Sequence, residues 1–493
     1  MSSTNPAQTL PSELLKLIFV EASNSTIPEE RPCAALTLSH VCSSFRRVAL
    51  VCPKLWTTLS RKLGRPGLEL IEACIQRSAD QPLDVLLYLY GLRGDFGGSR
   101  FADQVAVDRM AKTVLPVCSR WRSFAVHLAI IDPFDDCQWQ NVILLTEFRQ
   151  LSAKLDVPML ETFSIEEDAD RSGLVPASSL LHLHPLLSSN PDLCWSLPAL
   201  HTLTVQNAHV SDIPSGFRSP IRSASIRYIQ RDLLYHLNTL RALAVASSLT
   251  TLHLSFQDCK FSRKFPDPTI SEISHVRSLH IDFLGCSQLH WSEHNLWKAF
   301  RTFRFPDVRV VDVKIILDIG DGSFVLWDGL QALDITLHSF LVTDQDVENP
   351  CPFPQIETLD IDVRLRRGDG IGLALLLPQC CLPSLKHLRI RSSFNLILLG
   401  DVGKFDEATL PRHFAIGGVN VPIALKTLIL DIPRVDGVVM WLRELVAKMQ
   451  AQRCWSGFAE LILKNGGRDI QIVHRDEVEG WCEMVTSIDD DSV

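Results

Sequence analysis

One six-residue pattern, apolar-x-x-apolar-x-apolar, returns eleven times in this 493-residue chain and constrains its fold more than any other feature. Its apolar positions are Trp121, Phe124 and Val126, then Leu160, Phe163 and Ile165, then Leu200, Leu203 and Val205. Further copies begin at Leu249, Val276, Val308, Leu330, Ile356, Leu385, Leu425 and Phe458, with starts 22 to 49 residues apart. The period-2 end of each copy predicts a short strand whose apolar side chains share one face. Recurrence over so long a stretch predicts a stacked architecture, because each unit needs its neighbours to bury its apolar face. Helical patterns occupy the intervals at 226–245, 292–303 and 438–452. Strand, helix, strand in one direction predicts an α/β fold with parallel strands and outer helices. Hydrophobic residues are 46% of the chain and charged residues 21%, a composition that can fill such a core.

This arrangement is similar to the leucine-rich-repeat solenoid, in a degenerate form without the usual Asn/Cys ladder. If the register holds, residues between the apolar ones point to the concave face. Asp312, Asp334 and Asp360 then share one column on rungs about 4.8 Å apart. Asp362 stands in the next column, and His387, Arg389 and Arg391 make a basic strip beside them. Like charges side by side in a sheet are unfavourable. Two readings follow: an acidic patch for a basic partner segment, flanked by the arginines, or a solvated polar face.

The first sixty residues have a different grammar. Pro11 suits a first helical turn, where its missing N–H costs nothing, and Leu14, Leu15, Ile18, Phe19 and Ala22 follow at helical spacing. A second helix is predicted over 33–51, ended by Cys52-Pro53, and a short turn carries Leu55 and Trp56. So short a segment holds more apolar side chains than its own core can hide. The surplus has two readings, a partner surface or docking on the rest of the chain, and periodicity does not choose between them.

These residues resemble an F-box, in particular the F-box-like domains of mushroom-forming fungi. Leu10-Pro11-x-Glu13-Leu14-Leu15-x-x-Ile18-Phe19 matches the opening motif, and Leu38-Ser39-His40-Val41-Cys42-x-x-Phe45-Arg46-x-Val48-Ala49 the second helix. Cys52-Pro53-x-Leu55-Trp56 matches the closing turn. The resemblance implies binding to the Skp-type adaptor of a cullin–RING ubiquitin ligase. Leu10, Pro11, Leu14, Ile18, Val41, Leu55 and Trp56 would face that adaptor or shape its docking surface. Phe45 departs from the pattern, which usually carries Trp there.

The domain reading is a disordered terminus at 1–9, an F-box at 10–60 and a connector of helix (68–77) and strand (83–89) within 61–115. A leucine-rich-repeat-like solenoid at 116–470 and a tail at 471–493 complete it. Net charge is −9 with no basic tract, which gives nucleic-acid binding no support. Residues 1–9 lack a signal-peptide pattern, and no run of 18 uncharged apolar residues predicts a membrane span. The 14 cysteines form no C-x-x-C pair and read as reduced thiols of the cytoplasm or nucleus. Cys286, His290 and His294 lack a fourth ligand, so no metal is expected. No P-loop, GxGxxG, GxSxG or HExxH motif occurs, so neither cofactor nor catalysis is expected. The expected function is a substrate-receptor subunit of an SCF-type ligase whose repeat surface holds a target protein. The alternative is a repeat scaffold acting outside the ligase.

Overall fold

The computed structural model describes residues 10–61, 68–91, 109–110, 112–130, 155–167, 196–207, 221–229, 240, 243–244, 246–257, 271–284, 303–317, 355–365, 373–376, 384–393, 396–399, 424–433, 436–464 and 470–490. The chain divides into two units, Met1–Ala224 and Ser225–Val493.

The first unit opens with helices α1 (Ser12–Asn24), α2 (Arg31–His40) and α3 (Ser43–Leu50). The single helix predicted over 33–51 is therefore two. Cys42 is extended (φ −159°, ψ 172°), and its Sγ accepts the Phe45 N–H at 3.4 Å, so it ends one helix and caps the next. Arg46 Nε donates to the Ser39 carbonyl at 3.1 Å, satisfying an end of α2. Leu15, Phe19, Ala35, Val48, Ala49, Leu55 and Trp56 fill the core of this small module. Phe45 packs its ring on Phe19 with centroids 4.9 Å apart, so the Phe at this position keeps an aromatic contact.

Strand β1 (Thr58–Arg61) pairs in parallel with β2 (Leu83–Gly91), and α4 (Glu69–Arg77) lies between them in sequence. Strands β3 (Trp121–Ile130), β4 (Thr162–Glu167) and β5 (Thr202–Gln206) follow in parallel register. The helix and strand expected of the connector are present, and the strand is a full member of the sheet. Trp121, Phe124 and Phe163 stack on its buried face at 4.8 and 5.9 Å.

The second unit continues the motif. In order across its sheet stand β6 (Ser223–Ile229, in this unit from Ser225), β7 (Thr251–Gln257), β9 (Ser278–Leu284), β11 (Val310–Leu317), β12 (Thr358–Leu365), β14 (His387–Ser392), β16 (Thr427–Asp431), β17 (Glu460–Lys464) and β18 (Ile470–His474). From β7 to β17 every ladder is parallel, and β18 pairs antiparallel to β17. Two short parallel pairs lie apart from it: β8 (Ser271–Glu272) with β10 (Phe303–Arg304), and β13 (Leu373–Leu376) with β15 (Leu396–Leu399). Helices α5 (Asp436–Ala451) and α6 (Val478–Asp490) complete the described elements.

The repeat pattern is the core. Its second apolar positions, Leu252, Leu279, Val311, Leu359, Leu388, Leu428 and Leu461, are in register and buried. Its third positions, Leu254, Ile281, Val313, Ile361, Ile390, Leu430 and Leu463, form the adjoining buried column. Tyr228, Phe256 and Phe283 continue inward as a ladder of rings 5.5 Å apart. At the start of each strand one carbonyl of the preceding copy takes two successive N–H groups. Arg309 and Val310 donate to Arg277, Glu357 and Thr358 to Arg309, Lys386 and His387 to Glu357, and Lys426 and Thr427 to Lys386.

Three expectations change. The helix predicted over 226–245 begins as β6, where Ala224, Ile226 and Tyr228 are buried in strict alternation. Ile221, Ala224 and Ile226 are a further copy of the pattern, hidden because Ala is a weak apolar signal. The C-terminal segment read as a tail holds β18 and α6. The helix over 438–452 is present as α5. The copy at Leu330, the pattern at 292–302 and the trio Cys286, His290 and His294 lie outside the described residues.

Candidate functional site

Two surfaces carry the residues singled out from sequence. The first is the outer face of α1. Leu15 and Phe19 point into the module, and Leu14, Leu17 and Ile18 share the opposite side at helical spacing, exposed by 47%, 67% and 50%. Leu10 and Pro11 are also exposed, and so is Val41, by 60%, at the junction of α2 and α3. Monomeric surfaces rarely hold apolar side chains this densely, so the surplus seen in the sequence is outward and not spent on internal packing. Leu55 and Trp56 do not face outward: both are buried in the module. Trp56 Nε1 donates to the Ala49 carbonyl at 2.8 Å, and the Arg77 guanidinium lies 4.5 Å from its ring centroid. Such a residue can shape the docking surface only from beneath. Leu17 was missed by motif reading, although its spacing of three from Leu14 marks the same face.

The second surface is the polar face of the sheet in the second unit. Asp312 and Asp360 are in register on β11 and β12, as the columns predicted, and Asp334 lies outside the described residues. The acidic patch does not survive the side chains. Arg391 grips Asp360 with two hydrogen bonds, Nε at 3.2 Å and Nη2 at 3.1 Å. Asp362 is almost wholly buried under Arg364, whose Nε and Nη2 reach it at 3.0 and 2.8 Å. Arg389 sits within 3.8 Å of Asp360 and 3.9 Å of Asp431, contacts too long for hydrogen bonds. Asp312 pairs with His280 at 3.4 Å. Three guanidiniums and an imidazole answer four carboxylates, Asp312, Asp360, Asp362 and Asp431, so these residues form a paired network. Burial raises the Asp360 carboxyl, with Arg391 pulling it back down.

His253 and His280 stand in the same outward column, yet the column alone gave no sign that each reaches a carboxylate. His253 Nε2 lies 3.0 Å from Asp282, and the two rings meet edge-on at 6.3 Å. Ser278 Oγ lies 3.0 Å from His280 Nε2, and His280 Nδ1 faces Asp312. That order of groups matches an activated nucleophile, but acyl transfer also needs preorganised N–H donors for the oxyanion. The Ser278 N–H donates to the Thr250 carbonyl at 3.1 Å and is committed to the sheet. Ser278, His280 and Asp312 form a hydrogen-bond chain on the outward face of the sheet.

The His280–Asp312 pair makes stability depend on pH. Its hydrogen bond to Asp312 raises His280 above its ordinary 6.5, and the same bond lowers Asp312 below its ordinary 3.8. The His280 contribution is fully present below 6.5 and fades as pH rises through the raised value. The Asp312 contribution is present above 3.8 and fades as pH falls through the lowered value. Their joint contribution is thus largest between about 4 and 6.5. His280→Gln is expected to flatten the decline in melting temperature between pH 6 and 8 relative to the native chain. Parallel melts of the two chains check this.

Among the described residues no group of three or more His, Cys, Asp or Glu could hold a metal ion. Burial pushes the Cys74 thiol up to about 12, which makes it inert as a nucleophile. No described helix is long and apolar enough to cross a membrane. Models of known protein families give no match to this chain, and neither do curated proteins, so the two surfaces rest on their own geometry.

Proposed function

We propose that the chain is a substrate-receptor subunit of an SCF-type cullin–RING ubiquitin ligase. In this reading the N-terminal helices act as an F-box on the Skp-type adaptor, and the repeated strands form a leucine-rich-repeat-like solenoid that holds a target protein. Its place is the cytoplasm or nucleus, and it contributes binding without catalysis, cofactor, nucleic acid or membrane. The observation that carries the reading is the exposed stripe of Leu14, Leu17 and Ile18 on a module whose own core is already filled by Leu15, Phe19 and Trp56. An amphipathic helix with two apolar sides needs a second partner, and a helix-on-helix adaptor contact would supply it. The sequence motifs support the same assignment. On the sheet, the paired network leaves little net charge, so the target contact would rest on hydrogen bonding and shape more than on steering by a basic segment.

Replacing both Leu14 and Ile18 with Asp is expected to weaken capture by a Skp-type adaptor at least a hundredfold, each position contributing about tenfold or more. Circular dichroism melts should stay close to those of the native chain, because both side chains are exposed. Undiminished adaptor capture by this variant would sink the assignment.

A further inference from the structure

Within the paired network of the second unit, Arg364 and Arg391 hydrogen-bond their carboxylates, and Arg389 makes no hydrogen bond. Its Nε is sealed from solvent without an acceptor. Nη1 comes only to within 3.8 Å of Asp360, and Nη2 to within 3.9 Å of Asp431. At that separation the charge is balanced while the donors stay unfilled. The side chain is 34% exposed, and unlike Nε its Nη1 and Nη2 are not shut away. A guanidinium held in place with its N–H groups unmade is costly, and each such group in a folded chain needs a physical reason.

The neighbours of Arg389 supply one. Its column is polar on one side, through Asp360, Asp312, His280 and His253, and turns apolar on the other. Ile429, Ile462 and Ile472 are successive register partners leading away from Arg389 across β16, β17 and β18. The first two are half-buried and the third is 51% exposed. Rungs about 4.8 Å apart make this a row about 10 Å long on the outward face. Apolar residues aligned on the face away from the core are not spent on folding.

We propose that Arg389 and the isoleucine row dock an extended, uncharged peptide segment of a partner protein, lying across the strands. A backbone carbonyl of the segment accepts from Arg389 Nη1 and Nη2. Alternate side chains of an extended peptide lie about 7 Å apart on one face, so two apolar residues separated by one fit within the row. What Arg389 lacks is acceptors and not counter-charge, which selects a neutral carbonyl. An incoming carboxylate would meet Asp360 and Asp431 beside the same guanidinium, with the charges of Arg364 and Arg391 already committed. Covering the isoleucines also dries the site, which strengthens the hydrogen bonds from the guanidinium. This deepens the reading of the sheet as the surface that holds a target, and it rests on that reading only in calling the partner a target.

Selection of a phage-displayed library of random peptides on the full chain tests it. Enriched sequences should carry two apolar residues separated by one, without acidic or basic residues around them. Synthetic copies of them, followed by fluorescence anisotropy, should bind with an affinity that stays within about twofold between low and high salt. Arg389→Gln should weaken that binding about tenfold or more, and Ile472→Asp should do likewise at an unchanged circular dichroism melt, because Ile472 is exposed. Enrichment of acidic peptides that depend on Arg389 would overturn the proposal by making the site an anion site. So would a library that yields no enriched peptide, or enriched peptides whose binding survives both variants. Adaptor capture is measured separately on the Leu14 and Ile18 variants, so the two readings fail independently.

Discussion

Trp56→Ala is expected to unfold the N-terminal helical module, with a loss of about 3–5 kcal/mol. The ring is fully buried among the residues that close the three helices, it donates to the Ala49 carbonyl, and Arg77 covers it. Truncation removes the largest apolar surface in a small core and leaves the Ala49 acceptor without its indole donor. A module of this size has little stability to spare. Limited proteolysis checks it: cleavage should open within residues 12–56, and fragments covering β7 to β17 should persist. Trp56→Phe keeps most of the ring and loses the N–H, so its cost should be nearer about 1–2 kcal/mol. Native-like protease resistance of the Ala variant would refute the assignment of Trp56 to the core. The contrast with Leu14 and Ile18 matters, since under the proposed function those variants are expected to lose adaptor capture with the fold intact. Loss of adaptor capture by a Trp56 variant would therefore report folding, not contact.

The second large effect belongs to Phe256. Its ring lies between Tyr228 and Phe283, 5.5 Å from each, and all three are buried. Neighbouring strands fix these side chains in register, so the gap left by Phe256→Ala cannot close without breaking the ladder. A loss of about 3–5 kcal/mol is expected, read as a lower urea midpoint with an unchanged slope. His253→Ala, on the opposite face of the same strand, is the control, with an expected change of about 0.5–1 kcal/mol. Equal effects at the two positions would contradict the assignment of faces.

Alternation is what made the fold legible. A period of two along the chain is also the geometry of a strand, so Leu252 and Leu254 announce their own burial. The copy at Ile221 escaped because Ala224 fills an inward position with a single methyl group. The site was less legible, for two reasons. Columns predicted from sequence put Asp312 beside Asp360 correctly, but guanidinium reach runs diagonally. Arg391 crosses to Asp360 from one pleat further on, and Arg364 folds back on Asp362 along its own strand. Nor does a motif distinguish an aromatic that faces a partner from one that supports the surface beneath it, and Trp56 is the second kind.

The shared carbonyls at the strand starts have a further consequence. Because Arg277, Arg309, Glu357 and Lys386 each receive two N–H groups from the next copy, alignment is re-established at every rung by the rung before it. An error in one interval is not handed on to the next. The length of chain between strands is then a free variable, and the spacing of 22 to 49 residues is what such freedom looks like in sequence. Intervals can lengthen, shorten or be exchanged without retuning the core, so selection can rewrite what projects from the sheet while the sheet itself stays in place.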